Sequence, residues 1–424
     1  MASGALMKSL TAVIDKRGKA GRLRFPPDPA KRAGVIDFGS NDTLSISSGV
    51  LRLALLDEIR QNPDFTVGAT GSCILDGTTQ YLVDLEASLA KYHHAVDAMY
   101  FNSGFEANVA IWTTLPQPGD IIVHDELIHA SIHDGLKHTR ARACLGFKHN
   151  DAESFRKVLQ SIEDDYKDNA NGTRSVFFAL ESVYSVDGDI CPISDLLEAS
   201  KEILPSADRI FVIDEAHSSG ILGPQGSGLV CELGLEDEIT IRLHTFGKAP
   251  GCAGAVVLCD TVIKLTLFNY ARNYIFTTGP TFMNLAAVKA AYKILESPEG
   301  QQRRDRLQSI IPHFYACIER HPDWAEVKAS GTFRLLKSSK YGSRVSKSLV
   351  PIVLLLTKQG ICIQLADHLL HHGILVHAIH YPAVPLAAER LRIVLHADNT
   401  ESEIDDLVDI LINWAMKNRS EQGF

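Results

Sequence analysis

No stretch of this sequence reaches the run of about 18 apolar residues that a membrane helix needs, so no membrane span is expected. The N-terminal segment lacks the apolar core of a secretory signal. None of the eight cysteines (Cys73, Cys144, Cys191, Cys231, Cys252, Cys259, Cys317 and Cys362) belongs to a C-x-x-C pair. That scatter argues against a bound metal and fits free thiols in a reducing compartment. The net charge is −9 and no dense basic stripe occurs, so no nucleic-acid partner is expected. The one basic run, Lys16-Arg17-Gly18-Lys19-Ala20-Gly21-Arg22, reads as a solvated helix end. Internal repeats and low-complexity tracts are also missing. The expectation is a cytoplasmic protein.

What remains is an ordinary globular composition, 45% hydrophobic and 22% charged, in 424 residues. That length suits one large and one smaller domain and can bury a core without disulfides. Leu6, Leu10, Val13 and Ile14 recur at helical spacing, which predicts an amphipathic helix over residues 1–25. From about residue 85 to 290, short apolar runs alternate with helical patterns. Ala98–Phe101, Asp120–Val123, Ala143–Phe147, Ser175–Leu180, Ile210–Ile213 and Ala255–Leu258 read as buried strands. Such runs between helices predict a mainly parallel sheet covered on both faces, with ligand residues at the C-terminal ends of its strands. After a helix over Phe282–Leu295 comes a charged stretch, Glu299–Arg306. The strand-like runs Leu349–Leu354 and Arg392–Leu395 follow, as in a smaller α+β domain. The division expected is a helix and arm over 1–50, a large domain over 51–290 and a small domain over 291–424.

Val212-Ile213-Asp214-Glu215-Ala216-His217 puts a carboxylate at the end of a buried run. Such an acid either caps the next helix or keeps a cofactor's ring nitrogen protonated, so that the ring accepts a carbanion's electrons. His217 is either structural or placed to reach that ring's phenolic oxygen. His244-Thr245-Phe246-Gly247-Lys248-Ala249-Pro250-Gly251 sets a lysine among small residues, where backbone can approach a ligand closely. A partly buried lysine has a lowered pKa, which suits Schiff-base chemistry; the other reading is a loop lysine on a turn. Asn102-Ser103-Gly104-Phe105 opens a helix after a strand, and free N–H groups there form an anion site, although ordinary capping looks the same. His129 follows another strand and could stack on a ring or be structural.

Together these segments resemble the α-oxoamine synthase family of fold-type I pyridoxal-phosphate enzymes. The resemblance runs from about Ile36 to Leu411. It rests on Ser40-Asn41-Asp42, Asn102–Phe105, His129-Ala130-Ser131, Ser185-Val186-Asp187-Gly188-Asp189, Asp214–His217, Thr245–Lys248 and Glu389-Arg390-Leu391-Arg392. It implies an α/β fold with a mainly parallel large domain and a smaller α+β C-terminal domain. It implies pyridoxal 5'-phosphate, with Lys248 as Schiff-base lysine and general base and Asp214 at the pyridinium. His129 would stack on the ring, and His217 and Ser185 would bond the phenolic oxygen. Ser103, Gly104, Phe105 and Thr245 would hold the phosphate, with Thr277 or Thr278 reaching it from the other subunit of a homodimer. Asn41, Arg392 and His380 fall in the substrate region, Arg392 as the carboxylate-binding arginine. The implied reaction joins an amino acid, L-alanine favoured, to an acyl thioester of coenzyme A or of an acyl carrier protein, with decarboxylation.

Several positions depart from the family pattern. Gly68–Gly77, near the thioester entrance in the family, has Thr70 where a glycine is usual, and Cys73 and Asp76 where Arg, Asn or His and a Ser are common. His380 stands where the biotin-pathway branch has arginine, and Tyr381-Pro382 looks like another branch. Pro250 after the lysine is also unusual. These departures leave open an enzyme of secondary metabolism acting on a different acyl chain. An aminotransferase is a weaker reading, since His129 and Ser131 replace its aromatic stacker. A non-catalytic partner subunit would lack Lys248.

Overall fold

The alternating pattern between residues 97 and 259 builds a single seven-stranded sheet in the computed structural model, which describes residues 4–166, 174–336, 349–381, 383–385 and 388–418. The strands are β1 (Ile36–Asp37), β2 (Asp97–Phe101), β3 (Ile121–Asp125), β4 (Ala143–Phe147), β5 (Ser175–Glu181), β6 (Asp208–Asp214), β7 (Ile241–Thr245), β8 (Ala255–Cys259), β9 (Phe333–Leu336), β10 (Ile352–Thr357), β11 (Ile374–Leu375), β12 (His377–Ile379) and β13 (Arg390–Val394). The large sheet runs β2-β8-β7-β6-β5-β3-β4, and only β8 lies antiparallel to its neighbours. The expected mainly parallel α/β sheet is therefore present. Its strands are buried on both faces, as the continuous apolar runs require. Val176, Phe178 and Leu180 of β5 enter one core while Phe177 and Ala179 enter the other. Phe178 stacks on its register partner Phe211 at 4.3 Å between ring centroids.

Among the elements unseen in the sequence, two are instructive. Strand β7 was hidden because Arg242 and His244 interrupt its apolar run; both are buried and bonded, Arg242 donating to Cys231 Sγ and His244 Nδ1 sharing a proton with Ser219 Oγ. The charged stretch Glu299–Arg306 lies inside a long helix, Pro298–Arg320. Ser297 caps it by accepting from Gly300 N–H, and buried Arg304 donates to the Leu295 carbonyl.

The second sheet, β12-β13-β10-β9, is antiparallel throughout. Beside it β1 pairs in parallel with β11, and Phe38 O accepts from Val394 N–H at 2.8 Å. That contact lays the segment after β1, with Asn41, along β13 and Arg392. Residues 1–35 form a separate compact unit. Its helix covers Gly4–Lys19, shorter than the expected 1–25, and ends near a turn in which Gly21 takes φ +65°. Leu6, Leu10, Val13 and Ile14 on this helix are exposed. Among the described residues no helix is long and apolar enough to cross a membrane. Pro382 of the Tyr-Pro pair lies outside the described residues.

Strand β2 points the same way as β3, β5, β6 and β7, so the C-terminal ends of all five meet along one edge. The return from β7 to β8 depends on Gly254. Its φ is +107°, and a Cβ there would collide with the Tyr100 hydroxyl. Its carbonyl accepts from Phe246 N–H at 2.9 Å, which closes the loop that carries Lys248. Gly254→Ala should cost roughly 1–3 kcal/mol, read as a lower urea midpoint. An unchanged midpoint would contradict this account of the loop.

Candidate active site

Asp214 ends β6, buried, with both carboxylate oxygens occupied. Oδ1 accepts from Ala216 N–H at 3.0 Å and Oδ2 from Asn108 Nδ2 at 2.8 Å. The capping contact and a ligand-facing position thus coexist in one side chain. Asn108 also donates to Ser131 Oγ at 3.0 Å. Ser131 in turn supplies its backbone N–H at 3.2 Å and its hydroxyl at 2.7 Å to His129 Nδ1. Two donors on Nδ1 make the neutral ring the Nε2–H tautomer. Burial keeps this imidazole below its usual pKa, against the opposing pull of Asp214.

Glu181 is the register partner of Asp214 across β5 and β6. It is buried, and its Oε1 has no hydrogen-bond partner. Burial, reinforced by the neighbouring Asp214 charge, pushes its carboxyl well above the usual range. Lys248 stands half-buried beside both acids. Burial lowers its pKa to about 8, while Asp214 and Glu181 pull in the opposite direction. His217 is held well below its usual value by burial, then by Lys248, Arg392 and His129. Lys248, His217 and Asn41 border one water-sized void of about 10 Å³.

Arg392 is buried on β13. Its Nε donates to the Ser185 carbonyl at 2.8 Å and an Nη to Asn41 Oδ1 at 3.1 Å. Both acceptors are neutral, and no carboxylate among the described residues pairs with this guanidinium. Burial lowers its pKa to about 10. Ser185 therefore meets Arg392 through its backbone. His380, after β12, is half-buried, and its Nδ1 lies 3.0 Å from the Tyr381 carbonyl.

Ser103 caps the helix Gly104–Thr114 by accepting from Glu106 N–H at 3.1 Å. A Cβ on Gly104 would lie 3.4 Å from Thr245 Oγ1, so the bare helix start faces that hydroxyl. Phe105 beside it is 46% exposed, too open for a core residue. Thr277 and Thr278 lie apart from the Lys248 void, around a second small void with Cys73 and Asn102; Asn102 donates to Thr278 O at 3.2 Å. Thr70 takes φ +56°, a left-handed conformation that is strained for a β-branched residue and that explains why glycine is usual there. Cys73 is buried and Asp76 exposed.

The sequence shows no role for Glu181 or Asn108. Glu181 ends an apolar strand as Asp214 does, a parallel that was there to be seen. Asn108 enters only through the packing of its helix and carried no local signal, while Ser131, part of the His129-Ala130-Ser131 motif, gains its role from the bond to Asn108.

These residues fit pyridoxal phosphate. A half-buried amine of lowered pKa lies near a carboxylate for the ring nitrogen and a neutral imidazole for the ring face. A glycine-lined helix start beside a threonine hydroxyl suits a phosphate, and the Glu181 oxygen next to Asp214 is left without a partner. Acylation of Lys248 by a small reagent, followed by mass spectrometry of the cofactor-free protein, should rise with a midpoint near pH 8. Asp214→Asn should lower that midpoint, because the carboxylate raises the amine's pKa. A midpoint at the ordinary lysine value would contradict this site electrostatics.

Comparison with known proteins agrees with the geometry. The family model for aminotransferase class I and II matches residues 33–411. The chain is 40% identical over 398 residues to an aminoacyl transferase sphA of Byssochlamys spectabilis, covering 93% of this chain and 84% of that one. It is 40% identical over 390 residues to an 8-amino-7-oxononanoate synthase of Emericella nidulans, covering 92% and 91%. The crystal structure of the 8-amino-7-oxononanoate synthase from Francisella tularensis superposes with a TM-score of 0.65 at 30% identity, covering 91% of this chain and 98% of that one. On this site and these matches, the chain belongs to the α-oxoamine synthase family of pyridoxal-phosphate-dependent transferases, within aminotransferase class I and II.

Proposed function

We propose that this protein condenses a small amino acid, L-alanine in the first place, with an acyl thioester, releasing thiol and carbon dioxide to form an α-amino ketone. The observation that carries the reading is Arg392, a buried guanidinium with two neutral acceptors and no carboxylate partner, close enough to shift the titration of Lys248 and His217. Burying an unpaired cation is costly unless a ligand completes it, and the planar fork of arginine suits a carboxylate. An amino acid whose carboxylate sits on Arg392 presents its Cα to the Lys248 side of the site.

Pyridoxal phosphate, when bound, supplies the electron sink that makes the Cα proton removable. Lys248 would be its covalent anchor, and, once the amine of the incoming amino acid has displaced it, the freed Lys248 amine, whose pKa burial lowers to about 8, would take that proton. Asp214, oriented by Asn108 and Ala216 N–H, holds the ring nitrogen protonated. The Cα electron pair forms a bond to the thioester carbonyl, and the carbon–sulfur bond breaks with the thiolate leaving. The resulting β-keto acid loses carbon dioxide, and Lys248 returns a proton to Cα. His129 would pack on the ring face and His217 would donate toward the phenolic oxygen. The start of the helix Gly104–Thr114 and Thr245 would hold the phosphate. Thr277 and Thr278 would reach a second copy's phosphate in a homodimer, a role consistent with the exposure of Phe276 beside them.

A second reading keeps the chemistry and changes the acyl chain, to one used in secondary metabolism and carried on coenzyme A or a carrier protein. The strained Thr70 in Gly68–Gly77 and the sphA relative favour it. Thiol release with a panel of acyl-coenzyme A and acyl-carrier-protein substrates separates the two.

Lys248→Ala should abolish thiol release while the protein stays folded; retained turnover would sink the assignment. Arg392→Ala removes one partner of a buried charged contact, an effect of about 2–5 kcal/mol. The amino-acid KM should therefore rise by roughly thirtyfold or more. An unchanged KM would refute its role.

A further inference from the structure

We propose that His149 is a positioning residue for substrate binding, holding the hairpin 182–191 so that its backbone sets Arg392. The inference rests on the carboxylate role proposed above for Arg392. The segment from Ser182 to Cys191 is a tight hairpin. Cys191 N–H donates to Ser182 O, Tyr184 N–H to Asp189 O, and Gly188 N–H to Tyr184 O, at 3.0, 3.0 and 2.8 Å. Gly188 turns it with φ +62°, and a Cβ there would lie 2.7 Å from the Ile352 carbonyl on β10. The hairpin is thus pressed against the small sheet at a position only glycine fills.

Three residues of the hairpin grip three different partners. The Ser185 carbonyl accepts from Arg392 Nε. Asp187 pairs with Arg390, two residues along the same strand. Asp189 Oδ2 meets His149 Nε2 at 2.9 Å, while His149 Nδ1 meets Asp125 Oδ1, also at 2.9 Å. His149 follows β4 and Asp125 ends β3, both in the large sheet. Asn150 doubles the link, donating from its backbone to Asp125 Oδ2 at 2.8 Å and from Nδ2 to Asp189 Oδ2 at 2.7 Å. The His149 ring also packs edge-on against Tyr184 of the hairpin at 4.5 Å.

Both imidazole nitrogens face carboxylates, so the ring must donate from both, which only the imidazolium does. The two acids raise its pKa to about 10 against the effect of burial. His149, Asp187 and Asp189 lie close enough together to suggest a cation site. Arg390 on Asp187 and the two bonded nitrogens of His149 use that cluster internally, so it is an ion-pair lattice. Its geometric effect is to tie the hairpin to the large sheet, where Lys248 is anchored, while Ser185 and Asp187 tie it to Arg392 and Arg390 on the small sheet. The distance from amino-acid carboxylate to Lys248 is set through this bridge, since a small misplacement of a positioning group is expensive in rate.

The test compares His149→Gln and Asp189→Asn, singly and together, with Arg392→Ala in the cofactor-loaded enzyme. The amino-acid KM should rise roughly tenfold in each of the two single variants, with the thioester KM unchanged. The double variant should show no further rise, because both substitutions break one link. In the cofactor-free protein, hydrogen exchange at the Tyr184, Gly188 and Cys191 amides should accelerate in both. If His149→Gln does not fold, Asp189→Asn reads the same link. An unchanged amino-acid KM, or equal rises for both substrates, while Arg392→Ala still raises the amino-acid KM, overturns this proposal and leaves the proposed function standing. If Arg392→Ala itself has no effect on that KM, the carboxylate role falls, and this inference with it.

Discussion

Lys248 stands half-buried beside Asp214 and Glu181, and the rest of the structure follows from keeping that amine and those acids together out of water. An isolated buried charge is costly, and each group answers by shifting its titration. The Glu181 carboxyl rises and the Lys248 amine falls to about 8. Parallel pairing of β5 and β6 places the two acids side by side, and the loop after β7 returns the lysine to them. A mainly parallel sheet, with the C-terminal ends of β2, β3, β5, β6 and β7 along one edge, is what makes this convergence possible. Asn108, Ser131 and His129 extend the same order sideways through four hydrogen bonds, so the orientation of Asp214 and the tautomer of His129 are set by one chain of contacts.

The second constraint is Arg392, buried with two neutral acceptors and no carboxylate partner among the described residues. It belongs to the other sheet, yet it must face the Lys248 site. Asn41, delivered by the pairing of the segment after β1 with β13, and the hairpin 182–191 carry that registration. On the roles proposed for Lys248 and Arg392, holding the two on unconnected elements would lose the alignment that a condensation requires. Here the link is short, polar and charged, and it stays intact over the pH range in which the His149 imidazolium persists.

The fold was readable because its main signal is periodic. Six of the seven large-sheet strands announced themselves as apolar runs, and Asp214 and Lys248 stood out by residue type in a setting of small neighbours. Strand β7 escaped because Arg242 and His244 are buried polar residues whose partners come from distant segments. Glu181 and Asn108 escaped for a related reason: their meaning lies in a register or a helix contact. The charged stretch Glu299–Arg306 misled in the opposite sense, since it lies inside a long helix, with Arg304 buried and bonded while Glu299, Asp305 and Arg306 stay exposed. Thr70 was noticed as a departure, but its left-handed backbone belongs to geometry that sequence does not display.

The central claim is that carbon–carbon bond formation at this site is coupled to both thiol release and decarboxylation. The direct measurement is to incubate the cofactor-loaded protein with L-alanine labelled in its carboxyl group and an accepted acyl thioester, and to follow thiol and labelled carbon dioxide together. The account predicts equal amounts of the two, each dependent on both substrates. Thiol release without carbon dioxide, or amino-acid turnover that ignores the thioester, would contradict it.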